Sequence, residues 1–322
     1  MRNTIKIGVF LLFLFSMSIV TFAQDSAYII TSPNVKLRAA SNARSAEVTN
    51  LSMGTLVTKL QQSTQKTKVG EVEDFWYKID AGNRKSGWVF GGFLKPFDPT
   101  QRIETYLDIM TPFMRTAPTV YEDEIDKYNF LAKAVTEAED RSQIAELTLA
   151  NLVTVKRILT IIYKDPKGTN AYRSWISAHQ NELTFHQATG KYYFNPEVLW
   201  RLQDEFHDVH FGDRIAYEAA RTDLPGSCGG NVACEVDKIN KREGRYLTLY
   251  PEGFYIEKVL DNIGAQIDTM LGNTSFYLLP RNAVAPFKDA LADLNATVQS
   301  VENAKHEVVL EKVSRLARQF IK

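Results

Sequence analysis

The sequence is poor in the residues from which most catalytic and metal centres are built. Its 322 residues include two cysteines and five histidines. It has no Gly-x-Ser-x-Gly elbow, so the usual α/β-hydrolase nucleophile is missing. It has no His-Glu-x-x-His pair of the kind that holds zinc in a protease. The glycines between Gly226 and Gly230 lack the spacing of a phosphate-binding loop. An excess of one charge is missing as well: Lys plus Arg and Asp plus Glu number 38 each. No surface-wide field therefore draws nucleic acid or an anionic membrane. There is no repeat of fixed period and no low-complexity tract. What is present is an ordinary globular composition, 44% apolar and 24% charged, with enough length for two domains and a sizeable core.

The first residues read as a leader. Arg2 and Lys6 give a positive start, Ile7 to Phe15 is an apolar run, and Thr21-Phe22-Ala23 offers a cleavage site. This is the pattern of a secretory signal peptide over residues 1–23. Its removal takes away two positive charges and leaves 36 basic against 38 acidic residues, with no membrane span in the mature chain. In an exported protein, Cys228 and Cys234 pair as a disulfide that pins a Gly-rich loop between helices. A loop this short gives about 2 kcal/mol on the chain-entropy account. A redox pair or half of a metal site are the rival readings; both ask for different spacing or further ligands.

Residues 24–98 read as a small β-domain. Short alternating runs are separated by turn residues: Tyr28-Ile29-Ile30, Val35 to Arg38, Val48 to Leu51, Thr55 to Leu60, Phe75 to Ile79 and Ser86 to Phe90. Strands of this length, about ten residues apart, predict a small barrel. Trp76, Trp88, Leu37 and Val89 are its expected core. The opening Val35-x-Leu37-Arg38-Ala39, the central Val48, Leu51, Gly54 and Val57, the run Trp76-Tyr77-Lys78-Ile79 and the closing Gly87-Trp88-Val89 with Phe93-Leu94 together resemble the bacterial SH3 (SH3b) domains. Two features depart from that pattern. Ala40-Ser41 stands where a proline is usual, and Gln61 to Asp74 is long and polar, which predicts an extended hairpin loop. The resemblance implies a non-catalytic module of an exported bacterial protein that binds cell-wall peptide or another polymer, often beside a catalytic domain. Exposed aromatic rings are the physical means of such binding, which nominates Tyr77, Phe90 and Phe93 as ligand contacts. Each of them has a rival role in filling or capping the barrel core.

From Asp98-Pro99-Thr100 onward helical periodicity dominates, and residues 99–322 read as a helical domain that resembles no family. Ile103, Leu107, Met110 and Met114 share one face, with Pro112 expected to bend or end the helix. Ile125 to Ala138 is a second helix, and Ile144 to Ile162 is a long apolar one. Ala171 to Leu183 reads as another. Asn195-Pro196 opens a helix expected to run to about Phe211. Arg245 to Tyr250 reads as a short strand or extended segment, Phe254 to Leu271 as a helix, and Phe287 to Ile321 as a long final stretch. On a helix, Asp204, His207 and His210 share a face and would approach one divalent metal, the one cofactor the sequence admits. A polar helix face is the plainer reading of the same residues.

The expected class is α+β with segregated halves, a small SH3-like barrel followed by an all-α domain. The leading function is a non-enzymatic binding protein of the cell envelope, periplasmic or extracellular, with peptidoglycan or another envelope protein as partner and no nucleic acid. The alternative is a cell-wall hydrolase whose catalytic part is the helical domain, metal-dependent if the Asp-His-His face is its centre. A third reading makes the barrel a cap docked on the helices, with Trp76, Tyr77 and Phe93 at the joint.

Overall fold

The computed structural model describes residues 27–118 and 120–321; the leader proposed for residues 1–23 lies outside them. The first part is a seven-stranded antiparallel sheet. Its strands are β1 (Ala27–Ile30), β2 (Val35–Arg38), β3 (Glu47–Leu51), β4 (Leu56–Gln62), β7 (Trp76–Asp80), β8 (Ser86–Phe90) and β9 (Leu94–Pro96), in spatial order β3-β2-β8-β7-β4-β1-β9. The polar stretch between β4 and β7 folds as a separate ribbon of β5 (Thr67–Val69) and β6 (Val72–Asp74), the extended hairpin that its composition predicts. Inward positions from strands across the sheet (Ile30, Leu37, Val57, Ile79 and Val89) meet in one buried cluster, as alternation predicts for Leu37 and Val89. Of the other two expected core residues, Trp76 is buried outside this cluster and Trp88 is only half-buried. Gly87 lies where β8 passes β2. A Cβ there would stand 2.7 Å from the Arg38 carbonyl oxygen and 2.9 Å from Leu37 Cγ, so this crossing admits no side chain.

The chain passes from β9 through one turn of 3₁₀ helix, capped by Asp98, into α1 (Arg102–Met114). Pro112 does not end α1; it lies in the last turn, on an exposed face, where the missing N–H costs a single intrahelical bond. Next come α2 (Tyr121–Glu137) and the long α3 (Arg141–Lys164), which Asp140 caps. After the short α4 (Arg173–Ala178) there is a hairpin of β10 (Leu183–His186) and β11 (Lys191–Phe194), where the sequence reading has a continuous helix to Leu183. Helices α5 (Pro196–Glu205), α6 (Gly212–Ala220), α7 (Val232–Ile239) and α8 (Arg245–Leu249) follow. Arg245 to Leu249 is thus helical rather than extended, with Tyr250 just past its end. A π-helical turn, Asn240–Gly244, joins α7 to α8. The final segment is α9 (Ile256–Gly272), α10 (Val284–Gln299) and α11 (His306–Phe320). Leu152, Trp200, Val236, Tyr246, Ile263 and Leu294, from six different helices, belong to one large core.

The two parts share a second core. Ile29, Met53 and Phe97 of the β-domain are buried together with Tyr106 and Met110 of α1 and Phe130 of α2. Gly54 has a positive φ of 79°, and a Cβ on it would lie 2.4 Å from a Phe130 ring carbon. One glycine therefore satisfies both the turn and the approach of α2. Polar contacts frame this contact. The Asp126 carboxylate accepts from the backbone N–H of Met53 at 2.9 Å and of Asn34 at 3.1 Å, and Asn34 Nδ2 donates to Asp123 at 2.8 Å. The barrel is docked, as the third reading expects. It is docked through the turns around Asn34 and Gly54, however, and not through Trp76, Tyr77 and Phe93.

Two buried carboxylates tie helices together. Glu124 of α2 accepts from Arg157 Nε at 2.7 Å, Arg157 Nη2 at 2.9 Å and Lys127 Nζ at 2.8 Å. Glu243, in the π-helical turn, accepts from Arg242, from Asn262 Nδ2 at 2.6 Å and from Gln266 Nε2 at 2.9 Å. The extra residue in such a turn reorients the side chains that follow it.

Candidate functional site

The β-domain carries a groove of about 250 Å³ lined by the segment Ser32 to Lys36, by Arg38 and Ala43, and by Val69, Trp76, Phe90 and Phe93. Strand alternation explains its floor. Trp76 and Phe90 are cross-strand partners on β7 and β8, with ring centroids 5.7 Å apart, and Phe93 stands edge-on to Phe90 at 5.8 Å. Trp76 and Phe90 are 3% and 2% exposed, so they form the floor, whereas Phe93 is half-buried and presents an edge. The indole N–H of Trp76 has no hydrogen-bond partner among the described residues. The rim takes its positive charge from Arg38, which donates to the neutral Ser45 carbonyl at 2.7 Å, whereas the Lys36 charge is offset by Glu47 at 2.8 Å. Asn34 belongs both to this groove and to the contact with α2.

Of the three aromatic residues nominated from the sequence, the structure brings Phe90 and Phe93 together and leaves Tyr77 out. Tyr77 follows Trp76 on β7 and so faces the other way. There its ring stacks near Tyr28, 6.2 Å away, under the ammonium of Lys59. Burial, the Asp74 charge and the Tyr28 hydroxyl raise its pKa. Lys36, Pro33 and Val69 are groove residues that the sequence reading does not nominate. Val69 comes from the β5–β6 ribbon, and a polar loop gives no sign of where one of its residues will pack.

Asp204, His207 and His210 do not share a helical face, because α5 stops at Glu205. His207 and His210 lie on the turns that follow, and all three side chains are exposed. His207 Nδ1 is 2.9 Å from the Asp204 carbonyl, while His210 Nδ1 is 3.0 Å from the Ser142 hydroxyl at the start of α3. Arg141 fastens the same turn by bonding the Glu205 carbonyl and pairing with Asp208. Among the described residues no group of three His, Cys, Asp or Glu side chains is placed to hold a metal ion. Cys228 and Cys234 are joined in a disulfide. It closes the glycine-rich loop onto the first turn of α7, which Asn231 caps.

The groove, the strand order and the docked turns frame a comparison with known proteins. Residues 33–95 match the family model of the bacterial SH3 domain. That segment is a bacterial SH3 domain. The match runs from the turn after β1 to β9, so the SH3 domain contains the lining of the groove from Pro33 to Phe93, with Ser32 just before it. Comparison of the chain with curated proteins and with solved structures finds no match in either. The SH3 domain suggests a binding module of a bacterial protein, and no helix among the described residues is long and apolar enough to cross a membrane.

Proposed function

We propose that this is an exported binding protein of the bacterial envelope, whose SH3 domain takes cell-wall peptide or polymer in the groove formed by Arg38, Trp76, Phe90 and Phe93. The observation that carries the reading is that groove: an aromatic floor, one accessible ring edge and a cationic rim, on a module held rigidly by the helices. Rigid aromatic surface binds at low entropic cost, and a few polar groups at the rim fix orientation. Export is supported by the leader pattern in the sequence and by the disulfide, which persists in oxidising compartments. Because the two parts share a core, the helical part serves as a fixed support.

The test is co-sedimentation of the purified protein with cell-wall sacculi. The protein should pellet with the wall. Phe93→Ala and Arg38→Ala should each weaken binding about tenfold, consistent with the loss of one anchoring contact. Tyr77→Ala, on the opposite face, should pellet like the parent. Wild-type binding by folded Phe93→Ala and Arg38→Ala variants would sink the groove assignment, and a parent protein that stays in solution would sink the wall as ligand.

A further inference from the structure

The helical part has a cleft of about 510 Å³ between α1, α3 and α6, the size of a small-molecule site. Its two sides differ in chemistry. Leu107, Met110, Met114, Val153 and Phe211 give it an apolar wall. Around that wall stand Arg115, Lys156, Arg157, Arg214 and Arg221, against only Glu146 and Glu218.

These cations are not equally committed. Arg157 is spent on buried Glu124, Arg221 pairs with Glu218 at 3.2 Å, and Arg214 reaches Glu146 only at 4.0 Å. Arg115 and Lys156 form no ion pair among the described residues. Among the described residues the Lys156 ammonium has one hydrogen bond, to the Thr222 hydroxyl at 2.7 Å, which uses one of its three donors. It also lies 5.8 Å from the Phe194 ring centroid. Burial lowers its pKa; Arg221 acts in the same direction, and Glu218 and Asp223 act against it. Lys156 and Thr160 also line an adjoining cavity of about 370 Å³, walled by Tyr163, Tyr192, Tyr193 and Phe194. A desolvated ammonium with a neutral partner is costly unless an anion meets it.

We infer that this cleft binds an anionic amphiphile, its carboxylate or phosphate on Lys156 with support from Arg115, and its hydrocarbon part along Leu107, Met110 and Met114. Glu218 and Asp223 act on Lys156 without forming an ion pair with it among the described residues. The ligand supplies a directly paired counter-charge, and the apolar wall makes a free inorganic anion a poor substitute. This site shares no residue with the SH3 groove, so it stands or falls apart from the wall-binding reading.

Titration calorimetry of the purified protein tests it, with octanoate, octyl phosphate, 1-octanol and inorganic phosphate as probes. Octanoate and octyl phosphate should bind. Octanol should bind at least tenfold more weakly than octanoate, and inorganic phosphate at least tenfold more weakly than octyl phosphate. Lys156→Met should weaken both anionic amphiphiles at least tenfold, Leu107→Trp should block them by filling the wall, and Lys133→Met, on the exposed side of α2, should change nothing. Octanol binding as tightly as octanoate would remove the anion site, and inorganic phosphate matching octyl phosphate would remove the amphiphile. The site itself is overturned if none of the probes binds, or if folded Lys156→Met binds like the parent. The comparison of the four probes on the parent protein decides the matter even where a variant fails to fold.

Discussion

Glu124 and Glu243 are each 1% exposed and each faces an arginine, yet their environments push them in opposite directions. Burial works to raise both. At Glu124 the hydrogen bonds and charges of Arg157 and Lys127 outweigh it, and the pKa falls below the usual carboxylate value. At Glu243 burial prevails over Arg242 and the Gln266 amide, and the pKa rises. The difference lies in how much positive charge each carboxylate has to itself. Glu124 has a two-pronged Arg157 and a lysine, both largely buried with it. Glu243 shares Arg242 with Asp223, at 3.0 Å from Nη1, and is otherwise met by neutral amides. A buried arginine partner therefore does not by itself make a carboxylate a structural lock; the number of undivided charges does.

Breaking the better-served pair has the largest expected effect. Glu124→Gln leaves Arg157 and Lys127 buried without a counter-charge and should cost about 3–5 kcal/mol in urea unfolding. Since the Glu124 pKa is lowered in the fold, its contribution is complete above the unfolded value of about 4.3 and is lost as pH falls through the folded one. The parent should thus lose stability on acidification while the variant changes less. An unfolding midpoint equal to the parent's at pH 7 would contradict the lock. Asp126 extends the comparison to a carboxylate that, among the described residues, is met by backbone N–H groups and forms no ion pair. Asp126→Ala strands the Asn34 and Met53 amides and should cost about 3 kcal/mol, read as faster hydrogen exchange across residues 27–97. Unchanged exchange there would show that apolar packing alone holds the domain. The smallest effect belongs to Glu243→Gln, about 1 kcal/mol at neutral pH, since the glutamine keeps an acceptor. Here the sign reverses. A raised pKa gives stability that is full below about pH 4.3 and is lost as pH rises through the folded value. The penalty for Glu243→Gln should therefore be greater at pH 4 than at pH 7, and the opposite trend would refute the assignment.

The β-domain was legible because its signals are local. Alternation in Val35 to Arg38 and Trp76 to Ile79 marked the strands, and Gly54 and Gly87 stood in the pattern of the resemblance, though only the structure shows that no side chain fits at either. The helical part was legible as helices where apolar spacing ran long, as in α3, and failed where tertiary contacts decide. The hairpin from Leu183 to Phe194 was hidden behind the helical spacing of Trp175 and Ile176, although its two aromatic-rich strands and Gly190 are a fair hairpin signal. The end of α5 at Glu205 carries no proline or glycine; contacts of Arg141 and Ser142 hold the turn that follows. The cleft around Lys156 could not be read from spacing, because α1, α3 and α6 bring together residues as far apart as Leu107 and Arg221.

The contact of Phe130 with Gly54 has a mechanical meaning. A module on a slack leash samples a sphere of orientations, and its neighbour meets a bound polymer only at the effective concentration the leash allows. Here there is no leash. A strand held in the SH3 groove would fix the compass bearing of every helix behind it, so that tension on the strand would pass through Phe97, Tyr106 and Phe130 into α1 and α2. The molecule is built as a bracket, whose corner is the shared core together with the close approach of Phe130 to Gly54.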